Sequence, residues 1–236
     1  MHDTIKISMF LAGLLAATSA QADWAGQGEL GGVLARGNTN TETINAKVDM
    51  TNETGHWKHQ AGFSMLRTVE NDVTSANRWE LRGESDYKLS ERSFVFGSLR
   101  YEDDDFTDYK YQAAASLGYG YRFIDSERTR LDGRLGAGYR FSELRLTGEN
   151  ADEAIIRASV NFSHQITETT QITDRLLVEA GSDNTFVQNV LALQVSMTDK
   201  LALGLSYEVR HNTEVQPGTD KTDQVLTANL VFGFGG

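Results

Sequence analysis

Between residues 109 and 123, apolar and polar positions alternate strictly. One parity holds Tyr109, Tyr111, Ala113, Ala115, Leu117, Tyr119, Tyr121 and Phe123; the other holds Lys110, Gln112, Ala114, Ser116, Gly118, Gly120 and Arg122. Successive side chains of a strand point to opposite faces, so this segment presents one apolar wall and one polar wall. The design recurs at 130–141, where Leu131, Leu135, Ala137, Tyr139 and Phe141 oppose Arg130, Asp132, Arg134 and Arg140. It recurs again from Trp79, with Leu81 and Tyr87 opposing Arg78, Glu80, Arg82, Glu84, Asp86 and Lys88. A 3.6-residue period would scatter these residues around a helix axis.

Reading the whole chain this way predicts strands over 24–37, 40–52, 57–68, 77–89, 94–102, 109–123, 130–142, 153–166, 171–181, 186–197, 201–210 and 222–234. Several reach the roughly 9–11 residues that a tilted strand needs to cross a bilayer. The first, fifth and ninth alternate least well. Connections near 53–56, 90–93, 124–129, 167–170 and 198–200 are short, whereas 69–76, 103–108, 143–152 and 211–221 are longer and mostly acidic. Short turns alternating with long loops are what a membrane-spanning barrel shows between its periplasmic and outer sides. The links near 37–39 and 182–185 break this rhythm by being short on the outer side.

These patterns predict an all-β fold, a transmembrane antiparallel up-and-down barrel of about twelve strands. A soluble sandwich or lipocalin-like barrel would turn its apolar parity inward. Two features favour the membrane form. The polar parity carries charges and glycines in rows, and Trp57, Trp79, Tyr87, Tyr101, Tyr109 and Phe123 sit where interfacial girdles form. The last predicted strand, with Leu226, Ala228, Leu230, Phe232 and Phe234 on one face, resembles the aromatic-ended strand that the barrel assembly machinery of Gram-negative bacteria recognises.

The beginning of the chain bears on location. Lys6, the apolar stretch 7–17 and Ala20-Gln21-Ala22 follow the order of a cleavable signal peptide over residues 1–22, leaving the barrel as 23–236. The expected location is the cell outer membrane. Cysteine is absent, which removes disulfides and thiolate metal sites. Proline occurs once, at Pro217, in keeping with a chain of paired strands. The net charge of −11 disfavours nucleic acid as a partner.

At the first predicted hairpin, Gly37-Asn38-Thr39-Asn40-Thr41 follows Leu34, after Trp24 and Glu29-Leu30-Gly31. In this motif and in its length and strand rhythm the mature chain resembles the salt-induced outer membrane protein family, a group of uncharacterised function. The resemblance implies an outer-membrane barrel and a link to salt or osmotic response, and brings no catalytic residues with it.

Candidate chemistry concentrates on the polar parity. Lys110, Arg122, Arg130, Arg134, Arg140 and Arg157 form a basic row expected to line the lumen, facing Glu80, Glu84 and Asp86 of the fourth strand. Two readings stay open: a narrow, porin-like channel for small anionic or zwitterionic solutes, in which low-dielectric walls focus the field, or a non-conducting barrel whose charges pair and fill it. Gly118 and Gly120, echoed by Gly136 and Gly138, lack the third glycine and following helix of a dinucleotide loop and are read as room for a bulky neighbour. Enzymatic activity and cofactors are not expected. Ser163 and His164 point to opposite faces of one strand, and a surface hydrolase built on His211 with Asp103, Asp104 or Asp105 is the remote alternative. Outer-membrane lipid and lipopolysaccharide are the expected surroundings, with the acidic loops weakly binding divalent cations.

Overall fold

The computed structural model describes residues 24–35, 41–105, 107–215 and 220–235. The expected signal segment, residues 37–40 of the first hairpin motif and Pro217 lie outside the described residues. Twelve strands follow one another: β1 (Ala25–Ala35), β2 (Thr41–Thr54), β3 (Trp57–Glu70), β4 (Val73–Lys88), β5 (Ser93–Asp104), β6 (Tyr109–Asp125), β7 (Thr129–Leu144), β8 (Glu153–Gln165), β9 (Thr170–Gly181), β10 (Thr185–Ser196), β11 (Leu201–Asn212) and β12 (Thr222–Phe234). Each pairs antiparallel with the next, and β12 returns to β1, so the sheet closes into a barrel. Closure satisfies the backbone of both outer strands, which lipid would otherwise leave unbonded.

Exposure runs opposite to that of a soluble protein. Leu117 is 73% exposed and Leu135 62% exposed on the outer surface, while Arg140 inside the barrel is 1% exposed. A continuous apolar surface of this kind is far beyond what a water-facing monomer tolerates, so its solvent is lipid. Aromatic pairs mark the two edges of the belt. Toward the short turns, Trp57 meets Tyr87 at 5.0 Å and Tyr121 meets Phe123 at 5.3 Å. Toward the longer loops, Trp79 meets Tyr101 at 5.1 Å and Tyr139 meets Phe141 at 4.9 Å. Rings at both levels suit the interfacial zones of a bilayer.

One connection differs from expectation. The stretch 69–76 is not a long loop: β3 and β4 extend to Glu70 and Val73 and join through Asn71 and Asp72 alone. Both have positive φ, 48° and 65°, the conformation a two-residue type I′ hairpin requires and Asn and Asp tolerate. A register shift between Thr68 and Val69 absorbs the irregular end.

Inside, β5 turns Phe94 and Phe96 toward the lumen, against the glycines of β6. Phe94 pairs in register with Gly120 and Phe96 with Gly118. A side chain on Gly120 would enter the Phe94 ring, and one on Gly118 would meet Phe96. The glycines are the notches that let two rings lie flat on the wall.

The seam between β1 and β12 is shorter than the hairpins. It registers six residue pairs, Gly26–Phe234 to Gly31–Asn229, whereas β1 and β2 register eleven. Side chains in the lumen reinforce it: Asn229 donates to Glu29 at 2.9 Å and accepts from Asn45 at 2.8 Å.

Leu117→Arg is expected to destabilise the barrel by about 2–4 kcal/mol if the belt faces lipid, read by denaturant unfolding in bilayers. Gly120→Val should cost ~1–3 kcal/mol through overpacking against Phe94, in the same assay, whereas Ser116→Ala should lie close to the parent.

Candidate functional site: the charged lumen

The lumen-facing parity of almost every strand carries charge, and the barrel is narrow enough for opposite walls to meet. Glu102 on β5 and Arg210 on β11 stand on diametrically opposed strands and form an ion pair. Arg100, next along the same face of β5, reaches Glu179 on β9 through two guanidinium nitrogens and also lies 3.2 Å from Glu102. Arg78 on β4 pairs with Glu208 on β11 at 3.0 Å, and Gln188 donates to the same carboxylate at 2.8 Å.

Phe186 sits at the centre of this layer. It projects inward from the start of β10 and is completely buried. Arg100 lies 4.6 Å from its ring centroid and Arg210 5.0 Å, so the ring is held between two guanidiniums. Each cation gains from the aromatic face, and the carboxylates of Glu102 and Glu179 neutralise the pair. Phe94 and Phe96 repeat the arrangement lower down, under Arg134 at 4.9 Å and Arg157 at 5.2 Å.

Above the Phe186 layer the short β9–β10 link folds into the mouth. Asn184 is buried, donating to Asn212 at 2.8 Å while accepting from Thr213 and the Glu214 backbone. Arg140 donates to the Asn184 carbonyl and pairs with Glu153. Glu153 in turn accepts from the Asp183 backbone N–H at 2.8 Å. These contacts tie the short link to β7 and β8.

Below the layer lies a cavity of about 340 Å³. Asp49, Glu80, Glu84 and Glu179 line it together with Arg82, Arg100, Arg157 and Arg175, four acids against four bases. Arg82 pairs with Asp49, Arg175 lies 3.4 Å from Asp49, and Arg157 lies 3.1 Å from Glu84. A second cavity of about 140 Å³ shares Gln27, Asp49 and Arg175 with the first and continues past Thr173, Ala192 and Ser206.

The residues anticipated from the sequence divide into two groups. Arg134, Arg140, Arg157, Glu80, Glu84 and Asp86 lie in the lumen, where Arg134 gathers Glu84 at 2.8 Å, Asp86 at 3.1 Å and Asp132. Lys110, Arg122 and Arg130 lie at the mouths. Lys110 occupies an irregularity at the start of β6 and pairs with Glu143 at 3.1 Å, with its side chain 61% exposed. Arg122 pairs with Asp125 at 2.8 Å, and Arg130, also near Asp125, is largely exposed. The anticipated basic wall is therefore not one-sided. Arg78, Arg82, Arg100, Arg175 and Arg210 come from other strands and interleave the two signs around the whole circumference. Arg100, Glu102 and Glu179 do not stand out in the sequence, because the fifth and ninth strands alternate least well. Their partnerships lie beyond a local pattern too, since Arg100 meets Glu179 across 79 residues and Glu102 meets Arg210 across 108.

The structure resembles the NanC porin with a TM-score of 0.54 at 12% identity, covering 89% of this chain and 98% of that one. It resembles the COG4313 outer membrane channel of Pseudomonas putida F1 with a TM-score of 0.51 at 12% identity, covering 93% and 98%. The shared fold, with its apolar belt and girdles, is that of a barrel of the outer membrane. In sequence, the chain is 25% identical over 221 residues to the uncharacterized protein YdiY of Escherichia coli K12, spanning 92% of this chain and 85% of that protein. Residues 28–234 match the family described as protein of unknown function DUF481, and the chain belongs to that family.

Proposed function

We propose that this protein is a non-enzymatic outer-membrane barrel that is closed at rest, its lumen locked by paired charges, with a part in the envelope's response to salt or osmotic stress. The observation that carries this reading is the Arg100–Phe186–Arg210 clamp, fully buried and tied to Glu102 and Glu179 across the lumen. Salt acts on the more accessible lumen pairs, those of Asp49 with Arg82 and Arg175, rather than on the buried clamp itself. Closure that rests on ion pairs depends on ionic strength wherever water reaches them, since the screening length falls from ~10 Å at 0.1 M to ~3 Å at 1 M. The acidic residues at the long-loop end suit lipopolysaccharide phosphates bridged by divalent cations, through oxygen ligands.

A narrow channel is the second reading, favoured by the cavity beneath the clamp. The fourfold balance of acids and bases around that cavity argues against selection for net anions. A solute held there would be zwitterionic or neutral and polar.

Planar-bilayer recording of the refolded protein tests both readings. The parent chain is expected to remain silent at 0.1 M salt, and discrete steps there would overturn closure at rest. The Arg100→Ala/Phe186→Ala/Arg210→Ala variant should conduct and prefer cations, because Glu102 and Glu179 lose their partners.

Stability separates locked pairs from mouth pairs. Glu179→Ala leaves Arg100 and Arg210 to share Glu102 in the interior and should cost about 3–5 kcal/mol. Lys110→Ala removes an exposed pair and should cost less than ~1 kcal/mol. Denaturant midpoints in lipid vesicles provide the comparison.

A further inference from the structure

The outer face of β9 and β10 carries a polar pair where lipid should meet only hydrocarbon. Asp174 shares its parity with Ile172, Leu176, Val178 and Ala180, and Asn189 shares its own with Val187, Leu191 and Val195. Apolar neighbours lie on both sides of each along its strand, Ile172 and Leu176 about Asp174 and Val187 and Leu191 about Asn189. Asn189 donates to Asp174 at 2.7 Å, and makes a 3.5 Å contact to the Arg175 carbonyl. Internal bonding lowers the cost of the pair without removing it. A carboxylate facing hydrocarbon is unfavourable, and a carboxamide has more hydrogen-bonding capacity than these contacts use.

The surroundings differ from the opposite wall. On β3 to β7 the outer surface is crowded with Trp57, Trp79, Tyr101, Tyr119 and Tyr139. Beside the polar pair, β8 turns outward Ala154, Ile156, Ala158, Val160 and Phe162, the last in register with Asp174, a largely aliphatic surface that another barrel could approach.

We infer that this wall is the contact between two copies of the chain, with Asn189 at its centre and Asp174 orienting it. A second copy is favoured by the chemistry of the pair. A carboxamide is both donor and acceptor, so two Asn189 side chains meeting across a two-fold axis satisfy each other. An axis along the membrane normal preserves depth, so each copy presents the polar pair at the level where its partner's lies. A single buried polar residue of this kind fixes register at an otherwise apolar interface.

The absence of native cysteine makes the test direct. Val178→Cys, on this wall, and Met65→Cys, on β3 diametrically across the barrel, are each refolded into phosphatidylcholine vesicles and oxidised. The expected result is a disulfide-linked dimer from Val178→Cys and monomer from Met65→Cys. Adding Asp174→Leu and Asn189→Leu to the Val178→Cys chain should weaken dimerisation about tenfold, equivalent to ~1.4 kcal/mol, with the heat-modifiable gel shift reporting that the barrel still folds. Equal cross-linking of Val178→Cys and Met65→Cys would overturn the inference. So would undiminished cross-linking after both leucine substitutions. Should the leucine chain not fold, the comparison of the two single-cysteine chains decides alone.

Discussion

A charge enclosed by a lipid-embedded barrel has to find its counter-charge inside the same barrel. Water on the outside is replaced by hydrocarbon, and an uncompensated buried ion costs several kcal/mol. This requirement organises the lumen. Glu102 draws Arg210 from the far side, Glu179 draws Arg100, and Asp49 collects Arg82 and Arg175. Each such contact ties walls that share no backbone hydrogen bond. Closure of the sheet therefore supplies the frame, and pairing across the lumen sets how open that frame can be.

The buried phenylalanines complete the scheme. Guanidiniums fill space poorly when surrounded only by carboxylates, because their planar faces carry no hydrogen-bonding groups. Phe186, Phe94 and Phe96 present rings to those faces, and those of Phe94 and Phe96 fit because Gly120 and Gly118 leave room on the neighbouring strand. Strand pairing, a missing side chain, an aromatic platform and a cation are thus stacked in sequence, each depending on the one beneath.

Much of the architecture was legible from alternation alone, because a period of two survives wherever one face meets lipid and the other meets charge. The stretch from Tyr109 to Phe123 announces both its strand and its facing. The turn at Asn71 and Asp72 was hidden, since polar residues on both sides blur the strand ends and only the paired positive φ angles reveal the hairpin. Strand β9 alternates poorly for a physical reason: Asp174 stands on its apolar parity and Leu177 on its polar one. Partnerships across the lumen were also beyond the local pattern. Which arginine meets which carboxylate depends on strand tilt and stagger, quantities that belong to the closed sheet rather than to any segment of it.

The short seam between β1 and β12 has a kinetic meaning. Every other strand pairing joins neighbours in the chain and can zip from a turn, while this one unites segments about as far apart as the barrel allows. Its loop-closure entropy is the largest in the fold and its backbone return is only six registered pairs. The natural order of events is a growing sheet of eleven hairpins that curls in the membrane and shuts last. On that route the Asn45–Asn229–Glu29 bridge acts as a latch, and the same line is where a folded barrel would first reopen sideways into the bilayer.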